Sequence, residues 1–421
     1  MYRFRIKGPT SLEGEVRISG SKNASLAIIP ATILLDSPVL LRNIPDIEDV
    51  RTILSIMESL GAKVVRETRN DIWIDPTTVK TYEVPYFLAS KMRASIYVLG
   101  PLLVRFGKGV VYMPGGCSFG PRPIDFHIEG LKKMGAIISI EHGNIVAFVD
   151  KFRSAHINLP FKSVGATIHL MTTAVKLKGV RTVISNAALE PEVVDTANFL
   201  NRAGARIYNA GYDEIIVEGV EKLELDEYEV IPDRIEAGSF AVAAAMAGSV
   251  VLRGVVKEHM ISTLDKLEEA GAVLRWIDES QLMVRRPEGR IRPLIIKTAP
   301  FPGFPTDMQA QFMAMLTVAD GVSVVKEGIY PSRFHHAYEL QRMGADIRVD
   351  HGEALVRGVE RLTGAIVNAT DLRASISLVL AGIIAQGETV VENIEHIDRG
   401  YEDVENKFNA LGAKISREVS T

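Results

Sequence analysis

Apolar and polar residues along the chain follow one pattern that occurs six times. Stretches with helical spacing, such as VRTILSIMESL, end at a Gly-Ala pair, and a short alternating run such as IISIEHGNIVAFV follows. Glycine just after a helix takes the left-handed conformation that ends it, and the alternating run predicts a strand. The six glycines recur roughly every 70 residues: Gly61, Gly135, Gly204, Gly271, Gly344 and Gly412.

A second helix is predicted upstream of the first in each repeat. Small and apolar residues begin it at Ala24, Ala94, Ala166, Ala237, Ala310 and Ala374, and a β-like segment such as GSVVLRGV lies between the two helices. Each repeat therefore predicts strand–helix–strand–helix–strand. One such unit buries too little apolar surface to fold alone, so neighbouring repeats must share a core.

The repeats predict an α/β fold in two groups of three, divided near residues 225–233. The N-terminal segment KGPTSLEGEVRIS resembles RGVERLTGAIVNA (357–369), which leads into the sixth repeat. We therefore expect the N-terminal segment to supply the lead-in strand of the first repeat. The most apolar stretch, 238–252, is too short to span a membrane and predicts a buried helix that runs into a strand.

Composition excludes several classes of protein. The chain is 47% hydrophobic and 24% charged, with a net charge of −4, which gives no basic surface for nucleic acid or an anionic membrane. A single cysteine excludes an internal disulfide, and no signal peptide is visible, so we expect a cytoplasmic protein. Neither a zinc-ligand spacing nor a nucleotide-binding glycine motif occurs.

Charged and polar residues recur at equivalent helix starts. Free N–H groups at a helix N-terminus attract anions. Taken singly, each aspartate is explained as a helix cap and each arginine as a solvated surface charge. Taken together, they predict an anion-binding cleft between two lobes, and the set is Lys22, Asn23, Arg93, Arg122, Lys162, Ser163, Asp233, Arg234, Asp307, Arg333, Asp371, Arg373 and Arg399.

The single cysteine lies in MPGGCSFGPRP, residues 113–123. Free cysteines are usually buried in a core, but the glycines and prolines around Cys117 predict a loop. A thiol whose pKa is about 8.5 is mostly protonated at neutral pH, so it can act as an acid or as a nucleophile. Arg122 and His127 follow closely, which makes this loop a candidate site of chemistry.

Motifs spread over the whole chain resemble those of the UDP-N-acetylglucosamine 1-carboxyvinyltransferase family. They are PGGCxxGxRPxDxH, GSKNA, KMRAS, KSVGAT, GFPTDMQAQF, ATDLRAS and HIDRGYE. The resemblance implies transfer of the enolpyruvyl group of phosphoenolpyruvate to the 3-hydroxyl of UDP-N-acetylglucosamine, the first committed step of peptidoglycan synthesis. It also implies an inside-out α/β barrel of two lobes, residues 22–231 and residues 1–21 plus 232–421, so that the first residues cross back to the second lobe. The family resemblance implies no metal or organic cofactor.

The resemblance also assigns roles to residues. Cys117 is the expected proton donor and Asp307 the expected acceptor of the hydroxyl proton, with Lys22 and Arg399 completing the catalytic group. Lys22, Arg122 and Arg399 are expected at the phosphate of phosphoenolpyruvate, Arg333, Arg373 and Arg399 at its carboxylate, and Asn23 at both substrates. The nucleotide sugar is expected at Arg93, Arg122, Pro123, Ile124, Asp125, Phe126, Lys162, Ser163, Val164, Gly165, Asp307 and Ile329. Supporting roles fall to His127, Asp233 and Asp371, which is expected to orient the arginines.

Two other functions fit parts of the sequence. A transferase like 5-enolpyruvylshikimate 3-phosphate synthase shares the fold and the anion-binding residues, but we do not expect the PGGC loop in it. A non-catalytic UDP-sugar sensor is disfavoured because Lys22, Cys117, Asp307 and Arg399 are all present. The family's cysteine is alkylated by fosfomycin, and small residues often follow it, whereas Ser118, Phe119 and Pro121 follow it here.

Overall fold

The computed structural model describes residues 2–114 and 124–420. These residues divide into two compact units. The N-terminal unit contains residues 20–114 and 124–231, and the C-terminal unit contains residues 2–19 and 232–420. Each unit has its own hydrophobic core, so each contains enough apolar surface to exclude water from its own interior.

The strands in chain order are β1 (Tyr2–Gly8), β2 (Leu12–Arg17), β3 (Val39–Arg42), β4 (Lys63–Arg66), β5 (Ile72–Asp75), β6 (Lys108–Tyr112), β7 (Ile137–Glu141), β8 (Asn144–Phe148), β9 (Ala155–Asn158), β10 (Arg181–Ser185), β11 (Arg206–Tyr208), β12 (Glu214–Glu218), β13 (Glu227–Glu229), β14 (Gly248–Arg253), β15 (Val273–Trp276), β16 (Gln281–Arg285), β17 (Ile295–Lys297), β18 (Val322–Lys326), β19 (Asp346–Asp350), β20 (Glu353–Arg357), β21 (Ile366–Asn368), β22 (Gly387–Glu392) and β23 (Ile415–Val419).

The α-helices are α1 (Lys22–Ala31), α2 (Glu48–Leu60), α3 (Tyr86–Ala89), α4 (Leu99–Phe106), α5 (Asp125–Lys133), α6 (Val164–Ala174), α7 (Pro191–Arg202), α8 (Arg234–Ala247), α9 (Ile261–Glu269), α10 (Gln309–Leu316), α11 (His335–Arg342), α12 (Leu372–Ile384), α13 (Glu395–Asp398) and α14 (Val404–Ala410). Short 3₁₀ helices lie at Thr32–Leu34, Pro76–Thr78, Arg93–Val98, Lys257–His259 and Thr306–Met308.

Three small sheets form each unit, one for each repeat. Their strand orders are β13-β3-β5-β4, β6-β8-β7 and β11-β12-β10-β9 in the N-terminal unit. In the C-terminal unit they are β15-β16-β14-β2, β17-β18-β20-β19 and β21-β22-β1-β23. In each four-stranded sheet, a lead-in strand runs parallel to a central strand, and two antiparallel strands complete the sheet. In the described part of the second repeat, a single bridge between Glu83 and Val110 takes the place of the lead-in strand.

The first helix of each repeat lies inside its unit. Every residue of α8 from Ile235 to Ala247 is buried, and α8, α10 and α12 pack against one another. A helix that is apolar all round belongs in an interior, whereas an amphipathic helix such as α2 has one face for the core. The sheets cover these inner helices, through contacts such as α8 with β14 and α12 with β1. The predicted α/β architecture of six repeats is therefore confirmed.

Several local predictions also hold. The six repeat glycines all have positive φ, from +92° at Gly344 to +111° at Gly135, and each follows an outer helix. The stretch 238–252 is a buried helix that continues directly into β14. Within residues 2–114 and 124–420, no helix is both long enough and apolar enough to cross a membrane.

The prediction for the N-terminal segment is wrong in one respect. The lead-in strand of the first repeat is β13, which pairs in parallel with β3. Instead, β2 pairs in parallel with β14 of the fourth repeat, while β1 lies between β22 and β23 and completes the sixth sheet. Alternation identifies a strand but not its partner. Because only residues 9–11 separate β1 from β2, β2 is confined to the unit that holds β1.

We predict that Gly248→Ala destabilises the C-terminal unit. A Cβ at Gly248 would lie 1.8 Å from the carbonyl oxygen of Leu12 on β2, so the parallel pair must separate, at a cost of about 1–3 kcal/mol. Trp276 on β15 reports unfolding of this sheet in a Trp73→Phe background, and the guanidinium midpoint should fall. Gly289→Ala is the control, since nothing lies within 4 Å of its added Cβ. Equal midpoints for the two variants would contradict the pairing of β2 with β14.

Candidate active site

Two helices that begin repeats in the C-terminal unit, α8 and α12, are capped by aspartates that the sequence singled out. Asp233 accepts hydrogen bonds from the backbone N–H groups of Ile235 and Glu236 at the start of α8. Asp371 accepts them from Arg373 and Ala374 at the start of α12, at 2.8 and 3.1 Å. These two aspartates therefore use their carboxylates to satisfy helix N-termini.

Two arginines of the C-terminal unit converge on the carboxylate of Asp307. Arg333 Nη1 lies 2.8 Å from Oδ1, and Arg373 Nη2 lies 3.2 Å from Oδ2. Both arginine side chains are almost fully buried, at 6% and 4% exposure, while that of Asp307 is 27% exposed. Asp307 holds the side chains of Arg333 and Arg373, and Asp371 accepts from the backbone N–H of Arg373. The expected orienting role of Asp371 remains a prediction.

A network of neutral groups completes the surroundings of Arg373. Its Nη1 donates to the hydroxyl of Tyr401 at 3.1 Å, and that hydroxyl lies 2.8 Å from Ser239 Oγ. Gln311 donates to Ser239 and to the backbone carbonyl of Asp307. Burial disfavours the charge on Arg373, but Asp307 and Tyr401 outweigh burial and raise the pKa of the guanidinium. Arg373 therefore stays charged inside the protein.

Glu327 fixes the other arginine through Thr306. Its Oε1 accepts from Thr298 Oγ1 and from the backbone N–H groups of Ile329 and Tyr330, and its Oε2 accepts from Thr306 Oγ1 at 3.0 Å. Since the Thr306 proton is donated to Glu327, the oxygen of Thr306 is free to accept from Arg333 Nη1 at 3.0 Å. Glu327 thereby sets the orientation of this hydroxyl and places Ile329.

In the N-terminal unit, acidic partners hold both expected ligands at the start of α1. Lys22 Nζ lies 2.9 Å from Asp49 Oδ2, and both side chains are largely buried. Asn23 donates from Nδ2 to Glu192 Oε1 at 3.3 Å. Ser21 caps the helix by accepting from Ala24 N–H. The lysine charge is thus neutralised and oriented by α2, and the amide by α7.

The start of α6 brings together other expected ligands of the nucleotide sugar. Ser163 caps the helix by accepting from Ala166 N–H at 3.2 Å, and Val164 and Gly165 form its first turn. Lys162 donates to the carbonyl of Ala187 at 3.1 Å and pairs with Asp213.

His127 and Arg93 lie close to this helix start. The His127 ring lies 3.3 Å from the position that a Cβ on Gly165 would take. Arg93 opens the Arg93–Val98 3₁₀ helix, and its charge acts on His127. The structure therefore places Arg93, His127 and the first turn of α6 in one neighbourhood of the N-terminal unit.

Of the remaining expected residues, all but three lie in the described part of the chain. Ile124 precedes α5, and Asp125 and Phe126 begin it. Ile329 lies two residues after Glu327, and Arg399 follows the last residue of α13. Cys117, Arg122 and Pro123 lie outside the described residues. The expected roles of all these site residues remain predictions.

Several residues that sequence reasoning did not select support those that it did. Tyr401 and Gln311 lie within quoted motifs, HIDRGYE and GFPTDMQAQF, so the motifs contained a signal for them. Glu327, Asp49 and Glu192 carry no such signal, because each reaches its partner from another element. Among the described residues, no cluster of histidine, cysteine or acidic side chains could hold a metal ion.

The chain is similar to known proteins over nearly its whole length. A profile of the family described as EPSP synthase (3-phosphoshikimate 1-carboxyvinyltransferase) matches residues 6–408. The protein of Thermotoga maritima named UDP-N-acetylglucosamine 1-carboxyvinyltransferase is 51% identical over 418 residues, covering 99% of this chain and 98% of its own. The chain belongs to the UDP-N-acetylglucosamine 1-carboxyvinyltransferase family. The Proteus mirabilis protein of that name is 49% identical, with 99% of both chains covered.

Solved structures support the same fold. The enolpyruvyl transferase NikO from Streptomyces tendae superposes with a TM-score of 0.90 at 23% identity, covering 100% of this chain and 99% of its own. An EPSP synthase from Acinetobacter baumannii superposes with a TM-score of 0.78 at 17% identity, with 100% of both chains covered. The enolpyruvyl transferase fold predicted from the sequence is therefore confirmed.

The buried carboxyl group of Asp195 predicts that the stability of the protein depends on pH. Asp195 lies on α7, one turn after Glu192, and accepts a hydrogen bond from Tyr228 at 2.6 Å. Burial raises the pKa of Asp195 to about 6, and the bonds from Tyr228 and Ile231 N–H only partly offset this. A folded pKa above the unfolded value means that ionisation opposes folding, so stability is lost as the pH rises from about 4 through about 6.

We predict that Asp195→Asn removes this loss, which amounts to about 2–3 kcal/mol. The amide oxygen still accepts from Tyr228, so the variant should gain stability relative to the wild type as the pH rises. Thermal midpoints of both proteins between pH 4 and pH 7.5 measure the difference. If the difference in thermal midpoint between the variant and the wild type did not change with pH, Asp195 would not be protonated in the folded protein.

Proposed function

We propose that the chain transfers the enolpyruvyl group of phosphoenolpyruvate to the 3-hydroxyl of UDP-N-acetylglucosamine and releases phosphate. The observation that carries this proposal is 51% identity over nearly the full length of a protein of that name. The reaction is the first committed step of peptidoglycan synthesis and belongs to the cytoplasm. It needs two small-molecule substrates and no metal, cofactor, nucleic acid or membrane.

Arg333 and Arg373 suit the carboxylate of phosphoenolpyruvate. Guanidinium groups match a carboxylate in shape and charge, and these two already hold one, Asp307, at 2.8 and 3.2 Å. When the substrate carboxylate takes up these donors, the charge of the arginines stays neutralised. Asp307 is then released to accept the proton of the sugar hydroxyl.

Lys22 and Arg399, with Arg122, neutralise the phosphate of phosphoenolpyruvate in this proposal. Asp49 supports the lysine geometry, since it holds Nζ at 2.9 Å in a largely buried setting. Asn23, held by Glu192, contacts both substrates. The cationic groups stabilise the negative charge of the phosphate as it leaves.

The chemistry proceeds by addition and elimination. Cys117 gives a proton to the methylene carbon of phosphoenolpyruvate while the sugar oxygen bonds to the neighbouring carbon and Asp307 takes the hydroxyl proton. The resulting tetrahedral adduct then loses a proton from its methyl group. The bond to the phosphate oxygen breaks, the carbon–carbon double bond forms again, and phosphate leaves.

Phosphate release in the presence of phosphoenolpyruvate tests the proposal directly. UDP-N-acetylglucosamine should support release and shikimate 3-phosphate should not. If phosphoenolpyruvate released phosphate with shikimate 3-phosphate but not with UDP-N-acetylglucosamine, the protein would instead be a 5-enolpyruvylshikimate 3-phosphate synthase. Binding of the nucleotide sugar without any release would favour a sensor.

We predict that Cys117→Ala lowers turnover by about 10²–10⁴-fold, the usual contribution of a general acid. Fosfomycin should modify the wild type at Cys117, which peptide mass mapping would show, and should not modify the variant. Near-normal steady-state turnover by Cys117→Ala would exclude the acid role.

We predict that Asp307→Asn still binds UDP-N-acetylglucosamine but reacts far more slowly, because the amide keeps the shape of the carboxylate and lacks its basicity. Calorimetry measures the binding and single-turnover kinetics the reaction. Asp320→Asn is the control, since it removes a carboxylate paired with Arg290 at an exposed position. If Asp307→Asn instead lost binding and kept the rate of the chemical step, Asp307 would be only a substrate contact.

A further inference from the structure

Two histidines lie back to back inside the N-terminal unit, and the proposed chemistry uses neither. His127, on the first turns of α5, is 2% exposed, and His169, on α6, is 1% exposed. Their Nδ1 atoms are 3.0 Å apart. Two rings that meet through the same type of nitrogen form a hydrogen bond only if one donates and the other accepts, so their protons must be arranged in a definite order.

Both rings are neutral near pH 7. Burial, the neighbouring His169 and the charge of Arg93 together hold the pKa of His127 well below its usual value. Burial lowers the pKa of His169 to about 3. A neutral imidazole carries one N–H donor and one acceptor nitrogen, so fixing one nitrogen fixes the other.

A backbone N–H group determines which ring nitrogens of His169 and His127 carry protons. Gly100, in the first turn of α4, donates its N–H to His169 Nε2 at 2.9 Å. A backbone N–H can only donate, so His169 Nε2 is the acceptor and its proton lies on Nδ1. That proton is donated to Nδ1 of His127, which places the proton of His127 on Nε2.

The Nε2–H of His127 faces the start of α6. A Cβ on Gly165 would lie 3.3 Å from both Cε1 and Nε2 of His127 and 3.5 Å from the hydroxyl oxygen of Tyr97. Glycine at this position therefore avoids a tight contact with this edge of the ring. Within the described part of the chain, the hydrogen bond with His169 is the only one that His127 makes. A buried donor thus points at the N-terminal turn of an 11-residue helix.

We propose that His127 donates a hydrogen bond from Nε2 to the diphosphate of the nucleotide sugar at the start of α6, and that His169 is the positioning residue that fixes this tautomer. The free N–H groups of the α6 first turn supply further donors of the same polarity. The identity of the ligand rests on the proposed function, whereas the order of the protons does not.

His127 would contribute a hydrogen bond that depends on the direction from which the diphosphate approaches. Arg93 and Lys162 attract a diphosphate from any angle, but a neutral N–H offers a single bond along one line. Because the ring stays neutral, this bond keeps its strength throughout the pH range in which an ordinary histidine titrates. Hydrogen bonds to a charged group contribute about 1.5–3 kcal/mol, which corresponds to about 10–150-fold in affinity.

The tautomers are measurable without any ligand. Long-range ¹H–¹⁵N spectra of ¹⁵N-histidine-labelled protein at pH 7 distinguish Nδ1–H from Nε2–H rings, and His127→Gln and His169→Gln identify the two signals among the nine histidines. We expect His169 protonated on Nδ1 and His127 on Nε2. The opposite order, or an imidazolium in either ring, would overturn the proposal.

The ligand contact is tested by adding UDP-N-acetylglucosamine to the same labelled protein. The Hε2 signal of His127 should shift, and phosphoenolpyruvate alone should leave it unchanged. A wild type that binds the nucleotide sugar with no shift at His127 overturns the contact alone. A wild type that does not bind it overturns the proposed function and the ligand assigned to His127, while the tautomers stand on the first spectrum.

Two variants separate the donor from the bulk of the ring. A glutamine places its amide near the Nε2 position and an asparagine near Nδ1, so His127→Asn should weaken UDP-N-acetylglucosamine binding at least about tenfold and His127→Gln should retain most of it. The KM for phosphoenolpyruvate should change little in either. His156→Gln on β9 is the control. Equal losses of affinity in both His127 variants, with unchanged thermal midpoints, would refute a directed N–H.

Discussion

The burial of two arginines around one carboxylate is the interaction on which the site in the C-terminal unit depends. A guanidinium inside a protein needs a counter-charge and acceptors for its remaining N–H groups. Asp307 supplies the charge for both Arg333 and Arg373, while Thr306 and Tyr401 supply further acceptors. One carboxylate thus contacts two buried guanidinium groups, and both guanidinium groups suit an anionic substrate.

The repeat explains why Asp307 is available for this role. Ser21, Ser163 and Asp371 occupy the same repeat position, three residues before the marker alanine, and each caps its helix. In the fifth repeat the Thr306–Met308 3₁₀ turn precedes α10, and the described contacts of Asp307 include no helix cap. Its carboxylate contacts Arg333 and Arg373. One local change of backbone converts a capping position into a candidate catalytic one.

Much of this arrangement is predictable from the sequence, because periodicity and glycine positions report local structure. Six repeats, buried inner helices and the charged helix starts follow from such patterns. The partner of β2 does not, since alternation is the same in any sheet and the short connection after β1 decides the pairing. Glu327 and Asp49 were missed for a similar reason: each acts on a residue from a different element, and sequence spacing carries no record of that contact.

The most direct test of the shared counter-charge is a double-mutant cycle of Asp307→Asn and Arg373→Gln, read as the free energy of unfolding of the C-terminal unit by Trp276 fluorescence. If Asp307 neutralises Arg373, the second substitution costs less once the first is present, and the coupling energy should be about 1–3 kcal/mol. If the two effects add to within about 0.5 kcal/mol, the pair is independent and Asp307 is not what holds the buried arginine in place.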